Sequence, residues 1–403
     1  MKTLKDKKIK IDKQFLWMLF LFIPYIKLPD YIVGSFINNF MDLWKICSFS
    51  ILLFTLLKKN KLSPICLIFI LFEAVMLLST MRNSDYSKMW TQFVQLLSIV
   101  GVVLYSDYYI NIDCEKYFSV VSKYICFLSF INSITMFIYY PTGMYVDSRM
   151  DSNYYFLQLD NISFFTVYIG LICLMIHSYL KYNRVTLNVY LFYIFTFISY
   201  FYVNSTTAYA CMALLLLGVV LIDKKIFKLN YWVCIVVISL FCLGITYFHI
   251  QDYFKYIIVD ILHKGLDFTN RRWIWDRTIK YIIANPIFGY GLEAGRIMEL
   301  KIGFNHIHNI FLEIIYKGGI IAIVIYYIMM FINGKRISVL RNSKYYNLLC
   351  LFLLLYLFIC QFDYYNDIYV GFIIYIIIYN APTILKKIKG GNDDENISNN
   401  SSV

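Results

Sequence analysis

Residues 270–319 hold the side chains of this sequence that are best suited to chemistry. Arg271 and Arg272 stand side by side, and a His-x-His pair follows at His306 and His308. A guanidinium group binds phosphate-like anions through its fork of N–H donors. An imidazole near its ordinary pKa can take a proton from a hydroxyl group. These residue types together predict a site that stabilises negative charge and removes a proton.

Each of these residues also has a structural explanation. Asp276 lies four residues after Arg272, so the two can pair on one helix face. Arg271 would fall in the first turn of a helix, where the dipole disfavours cations, so a bound anion or an acidic partner explains it better. The histidines could bind a metal, but no nearby carboxylate or thiol completes a site. A base is therefore the preferred interpretation, and no metal is expected.

Two amphipathic helices are expected around the arginines. Apolar residues share one helical face over 252–262 and over 273–284, which is typical of helices that lie on a membrane surface. Asn270 is predicted to cap the second helix, and the Asn-Pro pair at 285–286 is predicted to end it. Glycines at 289 and 291 then favour a turn, because glycine adopts positive φ or lets backbone approach closely.

Four ionisable residues inside apolar segments are candidates for a functional role. Glu313 lies four residues before Lys317, so the two can form a pair within one helix. Glu73 and Lys45 stand alone in other apolar segments. Ionisable residues inside a membrane span are functional candidates by default, so all four are retained as candidates.

Long apolar segments surround this stretch. The 403 residues are 60% hydrophobic and 15% charged, with a mean hydropathy of +0.62, which is far outside the soluble range. The sequence therefore predicts an all-α, polytopic membrane protein with about twelve transmembrane helices. The apolar runs lie at 15–37, 43–57, 63–79, 90–108, 117–140, 161–180, 187–204, 206–222, 231–250, 309–332, 345–362 and 367–384.

Lys and Arg residues set the expected orientation, because they concentrate in cytoplasmic segments. A basic N-terminus at 1–14 is expected in the cytoplasm, followed by helices 1–9 over 15–250. An extracytoplasmic loop over 251–308 precedes helices 10–12 over 309–384, and a disordered cytoplasmic tail covers 385–403. This orientation explains most of the net charge of +12, so no nucleic-acid partner is expected. The loop is long and basic on the translocated side, which favours a catalytic role.

The ordered motifs resemble the O-antigen ligase and Wzy-type polysaccharide polymerase family. They read Arg-x-x-x-Trp at 271–275, Asn-Pro-x-x-Gly-x-Gly at 285–291, and His-Asn-x-x-Leu-Glu at 308–313. The motif-bearing resemblance covers 270–319, and elsewhere the similarity lies in hydropathy and topology. It implies a GT-C-like membrane fold and a glycosyltransferase without metal or cofactor. Such an enzyme takes glycan from undecaprenyl pyrophosphate at the outer face of the bacterial cytoplasmic membrane.

The resemblance also assigns roles to residues. It makes His308 the catalytic base and Arg271, or its neighbour Arg272, the pyrophosphate-binding arginine. Ligases of this family often have an arginine at the outer start of a middle span, where this chain reads Asn-Ser-Thr-Thr-Ala at 204–208. The departure favours a polymerase over a ligase. Arg149 can supply the second guanidinium, and the further substrate-binding candidates are Arg277, Asn309 and Glu313.

The resulting hypothesis is a polymerase that joins lipid-linked repeat units into an O antigen or a capsular polysaccharide. A ligase that moves finished glycan to another acceptor is the nearest alternative. A flippase for the same lipid-linked units is a further one, although its charges should lie within the helix bundle rather than in one long loop. The expected partners are the undecaprenyl-pyrophosphate-linked donor and acceptor, the lipid bilayer, a chain-length regulator and a flippase.

Overall fold

Apolar helices make up most of the molecule. The computed structural model describes residues 12–388 apart from 27, 60, 84–85, 148–151, 262–264, 268–269, 342 and 364–368. The helices are α1 (Lys13–Phe22), α2 (Asp30–Lys58), α3 (Pro64–Arg82), α4 (Tyr86–Ile112), α5 (Cys114–Tyr139), α6 (Asp160–Tyr182), α7 (Leu187–Tyr202), α8 (Thr206–Asp223), α9 (Tyr231–Thr246), α10 (Arg271–Ala284), α11 (Gly295–Ile302), α12 (Ile310–Ser338), α13 (Lys344–Ile359), α14 (Ile373–Tyr379) and α15 (Ala381–Ile388).

Short elements connect these helices. A two-stranded antiparallel hairpin between α5 and α6 pairs β1 (Tyr145–Asp147) with β2 (Ser152–Tyr154). The 3-10 turns are Ile23–Tyr25, Ile250–Phe254 and Tyr369–Phe372, and Tyr256–Ile261 forms a π-helical turn.

The helix lengths confirm an all-α, polytopic membrane protein. Within the described ranges, seven helices are long and apolar enough to cross a bilayer, namely α2 to α6, α8 and α12. An eighth span is possible if Tyr369–Tyr379 and α15, which meet at a 67° bend, are counted as one. Helices α7, α9 and α13 are apolar but shorter. The expected total of about twelve would require these three helices and the ten-residue α1 to span the bilayer as well, so that number stays a prediction.

The boundary between the first two apolar runs differs from the expectation. Helix α1 ends at Phe22, and α2 begins at Asp30 and continues through the expected gap at 38–42. Proline explains the shift. Pro24 falls in the 3-10 turn, and Pro29 has an extended backbone as the N-cap of α2. Proline is tolerated at such a start because the first N–H groups of a helix have no partner within the helix.

A kink in α12 creates the docking place for the loop between α9 and α12. Gly319 has a left-handed backbone with φ of 63°, which interrupts the helix. The N–H of Ile320 then donates to the carbonyl of Pro286 at 2.8 Å, and the N–H of Tyr290 donates to the carbonyl of Tyr316 at 2.7 Å. A kink releases backbone groups from the helical ladder. Here the turn at 285–291 satisfies them.

The predicted Gly-x-Gly turn is confirmed. Gly289 and Gly291 have φ of 65° and 69°. Gly289 lies against the backbone of α12, and Gly291 lies against the backbone of Thr80 in α3. A Cβ atom at either glycine would overlap these neighbours. The close approach that the glycines permit is therefore one between protein backbones, and it fastens the loop to the helix bundle.

The first predicted loop helix is wrong in type and the second is confirmed. Residues 252–261 form 3-10 and π-helical turns instead of an α-helix, and residue 262 lies outside the described part. Helix α10 ends at Ala284, beside the Asn-Pro pair as expected. Asn270 precedes it in a left-handed conformation, but its side chain makes no capping hydrogen bond. The carbonyl of Asp267 accepts from the N–H of Arg272 instead, at 3.1 Å.

Candidate active site

A cavity of about 900 Å³ opens between the start of α10 and the segment that leads into α12. His308, Arg271 and Arg272 all line it, so the structure brings together three of the residues singled out by the sequence. We call it the loop cavity. Its lining residues are Asp267, Asn270, Arg271, Arg272, Trp273, Ile274, Asp276, Gly303, Phe304 and His308.

His308 is largely buried at the inner wall of the loop cavity. Its ring lies 3.9 Å from the ring of His306, centroid to centroid, and 5.2 Å from the ring of Phe304. Burial, and then the neighbouring His306 and Arg271, hold the pKa of His308 well below its usual range. Burial, with Arg271 and Lys317, lowers the pKa of His306 to about 3. Both rings are therefore neutral at physiological pH and keep a lone pair for a proton.

Two side chains hold the backbone immediately before His308. The indole N–H of Trp275 donates to the carbonyl of Ile307 at 3.0 Å. The carboxylate of Glu313 accepts from the N–H of Ile307 at 3.2 Å. Because its N–H and its carbonyl are each held by a side chain, Ile307 anchors the backbone that leads into His308. His308 itself has a left-handed backbone with φ of 61°, which is uncommon for a residue other than glycine.

The predicted pair between Glu313 and Lys317 is confirmed. The Lys317 Nζ atom lies 2.6 Å from the Glu313 carboxylate, and both side chains are buried. Glu313 lies in the first turn of α12, where the helix dipole favours a negative charge. The contact with Lys317 holds the Glu313 side chain in a place where it accepts from the Ile307 backbone. Glu313 thus supports the candidate base, and it is absent from the lining of the loop cavity.

Asn309 joins the start of α12 to the end of α13. Its side-chain oxygen accepts from the N–H groups of Phe311 and Leu312 at 3.1 and 3.2 Å, which caps α12. Its amide nitrogen donates to the backbone and side-chain oxygens of Gln361 at 3.2 and 3.0 Å. Because these atoms are used within the protein, the structure gives Asn309 a positioning role next to His308. Its predicted contact with substrate stays a prediction.

Arg271 has the acidic partner that its place in α10 led us to expect. Its Nη2 atom donates to the carboxylate of Asp363 at 2.7 Å. Asp363, just beyond α13, is almost fully buried and also accepts from Asn161 at 3.0 Å. The sequence reasoning did not single out Asp363. In the sequence, Asp363 is marked only weakly, as a carboxylate at the end of an apolar run.

Arg272 does not pair with Asp276, so that prediction is wrong. Its guanidinium contacts Asp252 at 2.8 Å, and Asp276 contacts His249 at 3.2 Å. Asp252 lies twenty residues before Arg272 in the chain, and the fold places its 3-10 turn beside α10. Asp267 and Asp276 also line the cavity. The lining therefore offers both guanidinium donors and carboxylate acceptors, a set that suits phosphate oxygens and sugar hydroxyls.

Another predicted substrate-binding residue, Arg277, does not line the loop cavity. The guanidinium of Arg277 stacks on the ring of Trp273 at 3.9 Å. Arg149 lies outside the described residues. Across the part of the chain that the structure describes, no group of three or more His, Cys, Asp or Glu side chains is arranged to hold a metal ion.

The fold and site together define a multi-pass membrane protein with a histidine- and arginine-lined cavity in the segment that joins α9 to α12. Residues 189–327 match the family model described as O-Antigen ligase. The match runs from α7 into α12 and contains all three motifs. It supports an O-antigen ligase or polymerase type of function in the biosynthesis of surface glycans. No curated protein and no solved structure matched the chain.

Proposed function

We propose that this protein is a polysaccharide polymerase that joins undecaprenyl-pyrophosphate-linked repeat units into an O antigen or a capsular polysaccharide. The observation that carries the proposal is the loop cavity, where His308 and two arginines meet inside the region matched by the family model. A base and guanidinium groups are what glycosyl transfer from a pyrophosphate carrier requires.

His308 acts as the base in this proposal. A sugar hydroxyl of the acceptor gives its proton to a ring nitrogen of His308 as its oxygen attacks the anomeric carbon of the donor. The low pKa of His308 keeps the ring neutral before substrate binds, and it also makes the ring a weak base in that state. The anionic pyrophosphate, once bound near the ring, favours the imidazolium that forms, because an opposite charge nearby raises the pKa of a histidine.

Arg271 and Arg272 stabilise the leaving group. As the new glycosidic bond forms, the bond from the anomeric carbon to the phosphate oxygen breaks, and the lipid pyrophosphate leaves with that electron pair. Guanidinium forks neutralise the growing negative charge most effectively where water is scarce. Asp363 holds the Arg271 side chain by one of its terminal nitrogens. A one-step displacement of this kind inverts the anomeric centre.

A ligase is the second candidate function, because the matching family model is described as O-Antigen ligase. A ligase would use the same base and the same leaving group and would differ only in its acceptor. The sequence at 204–208 has no arginine where ligases of the resembled family often have one. That departure is our reason for preferring the polymerase.

The proposal includes an orientation. The loop cavity would face the outer side of the cytoplasmic membrane, both termini would lie in the cytoplasm, and Arg149 would approach the cavity from the loop before α6. A flippase would deliver the lipid-linked units, and a chain-length regulator would act on the same protein. Residues 251–308 would form the catalytic unit.

Complementation of a deletion strain tests the proposal. Wild type should restore a ladder of surface glycan, whereas His308→Ala and Arg271→Ala should leave single repeat units displayed outside. The matched controls are His177→Ala in α6 and Arg296→Ala on the exposed face of α11, and both should restore the ladder. Protein levels are compared by immunoblot.

Other glycan patterns would contradict the proposal. Full ladders from both site variants would reject the assignment of the site. Loss of all displayed glycan would reject the polymerase, and the location of the lipid-linked units would then identify the activity. Units that accumulate outside indicate a ligase, and units that remain inside indicate a flippase.

A further inference from the structure

Lys45 is buried within α2, and the loop cavity does not explain it. Its side chain is 1% exposed, and its Nζ atom lies 3.1 Å from the carboxylate of Asp42 and 5.4 Å from the centre of the Tyr369 ring. Charged side chains in a membrane span are costly, and where they occur they line a water-filled cavity or a functional site. Lys45 therefore indicates that α2 borders a polar space.

A second cavity, of about 490 Å³, is that polar space. It lies between α2, α4 and the β1–β2 hairpin, and we call it the hairpin cavity. Its polar lining includes Asp30, Asn38, Asp42, Lys45 and Gln95, and Trp90 adds a large aromatic face. None of these residues belongs to the loop cavity.

Asn38 presents a buried hydrogen-bond acceptor to the hairpin cavity. Its side chain is 2% exposed and its Nδ2 atom donates to the carboxylate of Asp30. Its Oδ1 atom finds no donor among the residues that the structure describes. A buried carbonyl oxygen without a donor is unfavourable. A hydroxyl group in the hairpin cavity would supply that donor.

The chemistry of the lining selects the class of ligand. Carboxylates accept hydrogen bonds from hydroxyl groups, and carboxamides both accept and donate them. Aromatic rings pack on the C–H face of a sugar ring. Two carboxylates against one ammonium group disfavour a phosphate or another anion, and the charged walls disfavour an acyl chain. We propose that the hairpin cavity binds a neutral, hydroxyl-rich oligosaccharide.

The hairpin cavity is connected to the base through buried polar residues. Gln95 lines it and also lines a small gap shared with Glu73, Glu313 and Lys317. Glu313 in turn holds the Ile307 backbone beside His308. Glu73, the other isolated ionisable residue of the sequence, lines that gap together with Glu313 and Lys317.

The assignment of this oligosaccharide as one of the two glycan chains of the reaction rests on the proposed function, whereas the binding itself does not. The test therefore measures binding. The probe is the oligosaccharide of one repeat unit, released from the lipid carrier of the host strain by mild acid, and the target is the full-length protein in nanodiscs. Isothermal titration calorimetry gives the affinity.

Two variants remove separate parts of the lining. Asn38→Ala removes the carbonyl oxygen without a donor, and Trp90→Ala removes the aromatic face. Each should weaken binding by about tenfold, the effect of one good hydrogen bond or ring contact. Trp17→Ala is the matched control, because Trp17 is also a partly exposed tryptophan but lies outside the cavity. It should bind like the wild type.

Three results would overturn the proposal. They are no measurable binding by the wild type, wild-type affinity in both Asn38→Ala and Trp90→Ala, or loss of binding in His308→Ala, which would place the sugar in the loop cavity. Size-exclusion profiles and thermal midpoints confirm that each variant is folded. If polymer formation proves unrelated to this protein while Asn38-dependent binding persists, the proposed function fails and the saccharide site stands.

Discussion

Asp363 and Arg271 form an ion pair of 2.7 Å although 92 positions separate them in the chain. The pair joins the end of α13 to the start of α10, and so ties the loop to the helix bundle beside the loop cavity. A buried carboxylate that already accepts from Asn161 has little freedom to move. The ion pair with Asp363 therefore orients the Arg271 side chain where it lines the loop cavity.

Asp363→Asn should slow glycan transfer by about tenfold or more, since a hydrogen bond between charged groups contributes roughly 1.5–3 kcal/mol. The turnover rate of purified protein on lipid-linked repeat units measures the effect. If Asp363 acts through Arg271, the double variant Arg271→Ala/Asp363→Asn should be no slower than Arg271→Ala alone. A double variant that is much slower than Arg271→Ala would contradict this dependence.

The stability of the protein should fall as the pH drops below about 6.5, the ordinary pKa of histidine. The pKa of His306 is lowered to about 3 by burial and by the nearby Arg271 and Lys317. Between these two values the unfolded chain binds a proton that the folded chain does not, so unfolding is favoured by acid. The thermal midpoint in detergent should decrease by a few degrees between pH 7.5 and pH 5.

His306→Gln isolates this contribution from that of other titrating groups. Glutamine keeps polar side-chain atoms but has no proton to gain in this range. The decrease in thermal midpoint between pH 7.5 and pH 5 should be smaller in the variant than in the wild type. An equal decrease in both proteins would show that folding does not lower the pKa of His306.

The membrane class and the motif-bearing loop could be read from the sequence because each depends on local residues. Long apolar runs determine spanning helices, and the pair between Glu313 and Lys317 follows from one helical turn. The glycines at 289 and 291 marked a turn because a positive φ is a local property.

The partners of the arginines could not be read in that way. Asp363 reaches Arg271, and Asp252 reaches Arg272, only after the bundle and the loop are folded. The same holds for Trp275, which binds the backbone of a residue 32 positions away. The structure of 252–261 was also missed, because apolar residues on one face are compatible with 3-10 and π-helical turns as well as with an α-helix.

Gly319→Ala should destabilise the protein more than Gly34→Ala does. Both glycines have a positive φ inside a long helix, at 63° and 76°, so both variants carry the cost of that conformation. A Cβ at Gly319 would overlap the carbonyl of Ile287 in the docked turn, whereas a Cβ at Gly34 would meet no atom within 4 Å. We expect roughly 1–3 kcal/mol for Gly34→Ala, because a positive φ with an extended ψ is essentially restricted to glycine. Gly319→Ala should cost about 1–3 kcal/mol more, because its Cβ also overlaps the docked turn.

Thermal midpoints and the recovery of monodisperse protein in detergent measure the difference between the two variants. Because the turn at 285–291 docks at this kink, Gly319→Ala should also lose glycan transfer. Gly34→Ala should retain it. Equal loss of stability in both variants would show that the docked turn contributes nothing beyond the backbone conformation.

Trp275→Phe should reduce the turnover rate while leaving the protein folded. The ring of Trp275 is fully buried, and phenylalanine keeps most of that apolar contact. What it loses is the indole N–H that donates to the carbonyl of Ile307, so that carbonyl is left without its partner at a cost of roughly 1–3 kcal/mol.

A freed Ile307 loosens the backbone that fixes His308, and a small displacement of a base has a large effect on the rate. We therefore expect the turnover rate to fall by about tenfold with little change in KM. Trp17→Phe, at a partly exposed tryptophan of α1, is the control and should retain full activity. A wild-type rate in Trp275→Phe would mean that Glu313 alone holds Ile307 firmly enough for catalysis.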